Sequence, residues 1–308
     1  MPDRINPEPR ELTPTAPYAL ERALAYLRAS PSAILERVDP AERTYRRALS
    51  LGGRDVLLVV RSVGTTEAPR LTLEARGEDV RPETLAAAEA LVRRLFALDE
   101  DPAPFLALAD ADPVLGELVQ KHPGLRPVLI PDPFEALLWA VVGQQITVAF
   151  ARKLKLALAD LCGRGLRIDG EDYPLFPRPE DLAALAPAAL AARQFSRQKT
   201  EYVLGLARAV ASGELNFETL RALPPEEAIA ALTRFRGIGR WTAEYVLMRG
   251  LGARDSLPAA DLGLRAVVGQ AYGLGRKATE PELREIAERW AGWRGWAAFY
   301  WWHKRQGE

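Results

Sequence analysis

Near residue 100 the apolar residues of this chain switch from the spacing of strands to the spacing of helices, and that switch constrains the fold most. Before it, Tyr45 to Leu51, Val56 to Val63 and Leu71 to Ala75 read as strands. Gly52-Gly53 and Gly64-Thr65-Thr66 separate them, as hairpin turns require. Leu20, Leu24 and Leu27 mark a helix ahead of the strands. Leu85, Ala88, Leu91 and Leu95 mark another, from Pro82 to Leu98. Beyond Asp99-Glu100-Asp101-Pro102 the strand signals almost vanish. Helical patterns then follow from Phe134 to Lys304, punctuated by Pro177, Pro187, Pro224, Gly237 and Gly252. The stretch Phe134 to Leu161 reads as strongly helical, with Gly143 to Thr147 as a connection inside it. The expected fold class is α+β. Residues 1–16 read as a flexible arm, 17–100 as a small antiparallel-sheet domain with helices, and 101–308 as an all-helical body.

With 308 residues, 48% of them hydrophobic, the chain can bury more than one core. It has no apolar run of membrane-spanning length, and its polar, proline-rich start does not read as a secretion signal. A cytoplasmic location and no membrane partner are expected. The single cysteine, Cys162, excludes an internal disulfide framework and any cysteine-built metal or iron–sulfur cluster, and reads as a small buried apolar residue. Forty-one basic residues balance 41 acidic ones, which counts against a nucleic-acid partner on charge alone. A site that grips a few phosphates through backbone N–H groups stays open.

The sharpest local signal runs from Leu232 to Tyr245, inside a helix–hairpin–helix expected at about 226–250. One helix ends at Phe235, Gly237 and Gly239 flank Ile238, and a second helix starts near Arg240. Glycines there allow a tight turn and let N–H groups face outward at a helix N-terminus, which attracts phosphate. Gly237, Gly239 and the Thr242 hydroxyl are the expected phosphate contacts. Ile238 would plug the hairpin into the core. The carbonyls of Thr233, Phe235 and Ile238 would surround a monovalent cation, sodium or potassium. Gly-Ile-Gly alone also suits an ordinary helix connection, but the longer string Phe235-x-Gly-Ile-Gly-x-Trp-Thr-Ala243 is far more specific.

That string resembles the helix-hairpin-helix DNA glycosylase superfamily, and within it the DNA-3-methyladenine glycosylase II (AlkA) type. The resemblance is strongest over Pro131 to Thr147 and Phe235 to Trp302, and the order of a sheet domain before a helical body agrees with it. It implies a catalytic aspartate at the start of the helix after the hairpin, which is Asp261. The family's frequent Asp-Asp pair is here Ala260-Asp261. On spacing alone, Asp261 reads equally well as a helix N-cap. The resemblance places Trp241, Tyr245 and Trp302 at a base pocket, Gln144 at that pocket or at the opposite strand, and Gln145 where the type often carries an apolar wedge. Leu262 stands where the family has an aromatic residue, and Tyr26 is a weak match to an aromatic lent by the first domain. Trp290 and Trp293 read as core, and Phe195 to Lys199 as a solvated helix start.

The resemblance implies a monofunctional glycosylase that removes alkylated bases of the 3-methyladenine type from double-stranded DNA and leaves an abasic site. Relatives that also cut the backbone carry a Schiff-base lysine where this chain has Trp241, so no lyase step is expected. No cofactor is required, and a sodium or potassium ion at the hairpin would be structural. A monomer is expected, since a lesion has no two-fold symmetry for a dimer to match. Two other readings remain: a glycosylase for another lesion class, and a non-catalytic helix-hairpin-helix DNA-binding module. The module would have no need of Asp261, Trp241, Tyr245 and Trp302 together.

Overall fold

A computed structural model describes residues 8–307 of the chain. It opens with β1 (Arg10–Leu12), α1 (Leu20–Ala29), β2 (Arg37–Asp39), β3 (Thr44–Leu51), β4 (Arg54–Ser62), β5 (Leu71–Arg76) and α2 (Pro82–Leu95). The strands form one antiparallel sheet in the order β1-β5-β4-β3-β2. Gly52 and Gly53 close the β3–β4 hairpin with φ of 57° and 78°, the left-handed values such a turn needs. Strand β4 is buried on both faces. Val56, Leu58 and Val60 join the core shared with α1 and α2, while Leu57 and Val59 face the other way. Its unbroken apolar run follows from that double burial.

The flexible arm expected over 1–16 is corrected where it is described; residues 1–7 lie outside the described residues. From Arg10 the chain pairs with β5, and Leu12 is fully buried. The N–H of Thr15 donates to the Leu98 carbonyl at 2.8 Å, and Arg126 donates to the carbonyl of Thr15. The bare edge of β5 and a core site for Leu12 outweigh the polar, proline-rich composition that suggested a loose arm.

The body begins with α3 (Ala103–Asp110), α4 (Pro113–Gln120), α5 (Pro133–Val142) and α6 (Val148–Cys162). A short hairpin follows, β6 (Gly165–Ile168) with β7 (Glu171–Pro174). Then come α7 (Pro179–Ala183), α8 (Pro187–Ala191), α9 (Arg197–Ala211), α10 (Phe217–Ala222), α11 (Pro225–Thr233) and α12 (Arg240–Arg249). The chain finishes with α13 (Leu262–Ala271), α14 (Glu280–Ile286), a 3-10 turn (Ala287–Trp290) and α15 (Arg294–Gly307). The β6–β7 hairpin corrects the all-helical expectation. Its Ile168 and Tyr173, with Leu175 just beyond, pack on Ala48, Leu57 and Val59, so the body covers the outer face of the sheet.

Two large cores divide the rest. The first joins the sheet and its helices to α15, and the second gathers α5, α6, α9 and α11. Helix α12 serves both: Tyr245 and Met248 enter the first, Ala243, Val246 and Leu247 the second. It is buried all round from Thr242 to Arg249, which explains its weak amphipathic pattern. Arg47 of β3 is paired with Glu135 of α5, and Glu135 also with Lys155 of α6, all three fully buried. These charges compensate one another's lost hydration and fix α5 against the sheet domain. Cys162 is half-buried at the end of α6, and burial pushes its thiol up to about 11.

Candidate active site

Asp261 is the N-cap of α13, with extended backbone at φ −60° and ψ 121°. A tight turn delivers it there, its own N–H donating to the Pro258 carbonyl at 2.9 Å. Its Oδ1 accepts the N–H of Leu264 at 2.7 Å and the indole N–H of Trp302 at 3.3 Å. Its Oδ2 has no partner among the described residues, and the residue is half-buried. The capping role and an outward-facing anion therefore coexist in one side chain: one oxygen is fixed, and the other is free to act on something else. Leu262 beside it is 63% exposed.

Three aromatic rings continue from the carboxylate. Trp302 of α15 lies 5.9 Å from Tyr245 of α12, and Tyr245 lies 5.5 Å from Trp241, ring centre to ring centre. Burial pushes the Tyr245 phenol well above its usual range, and the nearby Asp261 charge adds to that, so the ring stays neutral. Trp241 is half-buried, and its indole N–H has no partner among the described residues. The structure thus brings Asp261, Trp302, Tyr245 and Trp241 into one chain of contacts. Trp290 and Trp293 are buried in the first core, to which Tyr245 and Trp302 also belong. Among the described residues their ring contacts are with Tyr272, Trp301, Phe105 and Trp296, and not with this chain of rings.

Sequence reasoning missed Arg249. It continues the one-face spacing of Trp241 and Tyr245 along α12, which was the signal available. It is buried, donates to the Tyr26 hydroxyl, and lies 5.8 Å from the centre of the Trp302 ring. Tyr26 is itself buried against Phe299, so it supports Arg249 and α15 from behind and does not form an open pocket wall.

At the hairpin, Ile238 is buried in the second core and Gly237 has φ of +93°. A Cβ on Gly237 would sit 2.6 Å from the ring of Tyr202, so both conformation and space demand glycine there. Gly239 is different: its φ of −94° suits any residue, and a Cβ would meet nothing. It caps α12 without a side chain and leaves the first-turn N–H groups uncovered. Thr242 departs from its expected role. Its side chain is buried, and its hydroxyl oxygen accepts the Gln144 amide at 3.1 Å, so the hydroxyl is not offered to solvent. Gln144 departs as well. Its Nε2 donates to the Gly237 carbonyl at 2.9 Å and to Thr242, tying the α5–α6 connection to the hairpin where a contact with the base pocket or the opposite strand was expected. The part-buried hairpin carbonyl takes a donor, and a glutamine amide reaches it. Gln145 sits exposed at the tip of that connection with φ of +57°.

Comparison with known proteins identifies the two parts of the chain. The AlkA N-terminal domain matches residues 10–131, and the HhH-GPD superfamily of base excision DNA repair proteins matches residues 138–292. A DNA-3-methyladenine glycosylase of Bacillus subtilis (strain 168) is 41% identical over 73% of this chain and 75% of its own. DNA-3-methyladenine glycosylase 2 of Escherichia coli (strain K12) is 33% identical over 93% of this chain and 94% of its own. The solved 3-methyladenine DNA-glycosylase of Archaeoglobus fulgidus superposes with a TM-score of 0.82 at 26% identity, over 96% of this chain and 98% of that one. Fold, hairpin and relatives agree: the chain belongs to the HhH-GPD superfamily of base excision DNA repair proteins.

Proposed function

We propose that the protein is a monofunctional DNA glycosylase that releases alkylated bases, with Asp261 as its catalytic carboxylate. The observation that carries this reading is the unpartnered Oδ2 of Asp261 beside the rings of Trp302, Tyr245 and Trp241. An extruded base is held by aromatic faces, and a base made cationic by alkylation gains further attraction from them. Such a base is already a good leaving group. The N-glycosidic bond breaks with its electron pair going to the base, which departs neutral, and the sugar carbon becomes oxocarbenium-like. The Asp261 anion stabilises that developing charge. Water then adds to the carbon and gives up a proton to the surrounding solvent, leaving an abasic site. A neutral lesion needs polar readout or protonation of the leaving group, for which three aromatic walls offer little.

Gly237, Gly239 and the uncapped first turn of α12 suit a phosphate of the DNA backbone. Gln145, exposed and projecting from a left-handed backbone position, suits the gap left by the extruded base. Among the described residues the carbonyls of Thr233 and Ile238 accept no backbone N–H, and that of Phe235 accepts one, from Ile238 at 3.2 Å. Such oxygens fit a sodium or potassium ion, which would steady the hairpin. The proposed hydrolysis uses no other cofactor and is carried out by a monomer on cytoplasmic DNA. No helix of the described residues is long and apolar enough to cross a membrane. With Trp241 on the hairpin helix in place of a lysine, no imine forms by that route and strand cleavage is not expected.

The test is release of free base from methylated duplex DNA, with strand length measured before and after alkali. Release of 3-methyladenine, with breaks only after alkali, is the expected result. Strand breaks before alkali would overturn the monofunctional reading, and no release despite DNA binding would overturn the substrate class.

A further inference from the structure

The run Phe195 to Lys199 reads from sequence as a solvated helix start, yet Lys199 is turned inward. Its ammonium donates to the Val142 carbonyl and to the Gln144 carbonyl, both at 2.8 Å. No carboxylate pairs with it among the described residues, and burial lowers its pKa below the ordinary lysine value. These carbonyls lie at the end of α5, where a helix cannot satisfy its own acceptors. The next residue is Gln145, held at φ of +57°. Backbone of that kind persists only where its surroundings over-determine it.

Three residues further along α9, on the same face, the ring of Tyr202 packs on Gly237 of the hairpin. The Gln144 amide closes the triangle by donating to the Gly237 carbonyl. Helix α9 therefore holds the α5–α6 connection through Lys199 and the hairpin through Tyr202, and Gln144 joins connection to hairpin directly.

We infer that Lys199 is a positioning residue which, with Gln144, locks the Gln145 wedge to the phosphate-gripping hairpin, so that gripping the backbone and filling the vacated base position are one rigid-body event. This rests on the proposed reading of Gln145 and the hairpin, but not on the identity of the lesion. A wedge displaced by an ångström fills the gap poorly even when the protein still binds.

The test uses the full chain and a duplex with a tetrahydrofuran abasic analogue opposite 2-aminopurine, whose emission rises when that base is unstacked. Wild-type protein is expected to raise the emission on binding. Lys199→Met and Gln144→Leu are each expected to bind within about threefold of wild type, since phosphate contacts set affinity, while losing most of the emission rise. Lys199→Arg restores the two donors and is expected to restore the signal. The Lys199→Met, Gln144→Leu double variant should be little worse than either single one, as for two members of one unit.

A full emission rise in both single variants at saturation would overturn the inference. So would a loss of signal that tracks lower melting temperature in both and is not rescued by arginine, because that marks a purely structural lysine. Wild-type protein that binds without any emission change also overturns it. A Lys199-dependent signal in a protein that releases no alkylated base would sustain the brace and sink the substrate assignment alone.

Discussion

Helices α4 and α13 both begin at an aspartate that meets a tryptophan N–H, and the two sites diverge at one oxygen. Asp112 uses Oδ1 to cap α4 through the N–H groups of Val114 and Leu115. Its Oδ2 accepts the Tyr272 hydroxyl at 2.6 Å and the Trp290 indole at 3.2 Å. The residue is 3% exposed and its acceptors are filled. Asp261 puts its cap and its tryptophan on the same oxygen and keeps Oδ2 free at the surface. The same residue types therefore build a saturated structural joint in one place and, in the other, the half-open carboxylate proposed as the reagent. Saturation of the carboxylate, more than the Asp–Trp pair itself, separates them.

The strongest way to sharpen this contrast is one substitution at both sites. Asp261→Asn keeps an amide oxygen for Leu264 and Trp302, so stability is expected to change by less than about 1 kcal/mol. Single-turnover base release, however, should fall about a hundredfold to a thousandfold, as when a preorganised charge stabiliser is lost. Asp112→Asn should do the reverse. Its amide nitrogen would face the Trp290 N–H, which costs about 2 kcal/mol in a denaturant melt and leaves the rate per folded molecule unchanged. Equal rates in wild type and Asp261→Asn would erase the distinction between the two sites.

Exchanging the tryptophans tests the donors. Trp302→Phe keeps a ring beside Tyr245 but removes the hydrogen bond to Asp261, and base release is expected to drop about tenfold. Trp290→Phe is expected to cost about 1 kcal/mol of stability with no change in rate. A rate loss in both variants would mean that the aromatic cores of the two sites act together.

The smallest effect concerns pH. His303 follows Trp302 on α15, and burial, with the charges of His122 and Arg22 added, lowers it from 6.5 to about 4. Its folded-state value lies below its unfolded one, so protonation favours unfolding. Its contribution is complete above the ordinary histidine value and lost as pH falls from 6.5 towards 4. His122 is lowered too, chiefly by burial, and adds in the same direction. Melting temperature should decline across that window, and less so in His303→Gln. If base release declines in acid equally in both proteins, the loss belongs to the site and not to loosening of α15.

Much of this was legible in the sequence because it is written locally. The apolar run of β4, the glycines at 52 and 53 and the Gly-Ile-Gly turn each carry their own geometry. Asp261 was legible as a cap by its position and as a candidate catalyst by family pattern. What escaped depends on distant partners. Asp112 and Asp132 both precede proline at a helix start, and only residues 160 and 178 positions away complete Asp112. The β6–β7 hairpin is four residues a side and polar outside, and its burial comes from another domain's sheet. Its Asp169-Gly170 turn was the signal that could have revealed it. Gln144 and Thr242 were placed near the correct loops, but side-chain direction depends on the neighbour each can satisfy, and a linear pattern does not record it.

The left-handed backbone at Gln145 has a consequence for how this sequence can drift. Glycine or asparagine would occupy that conformation more easily, so libraries screened for heat resistance alone should accumulate them at position 145. On the proposed reading of Gln145 as the wedge, glycine would also leave nothing to insert between bases. Selection for survival under alkylating agents should therefore hold the longer side chain, and the two screens should pull this single position in opposite directions.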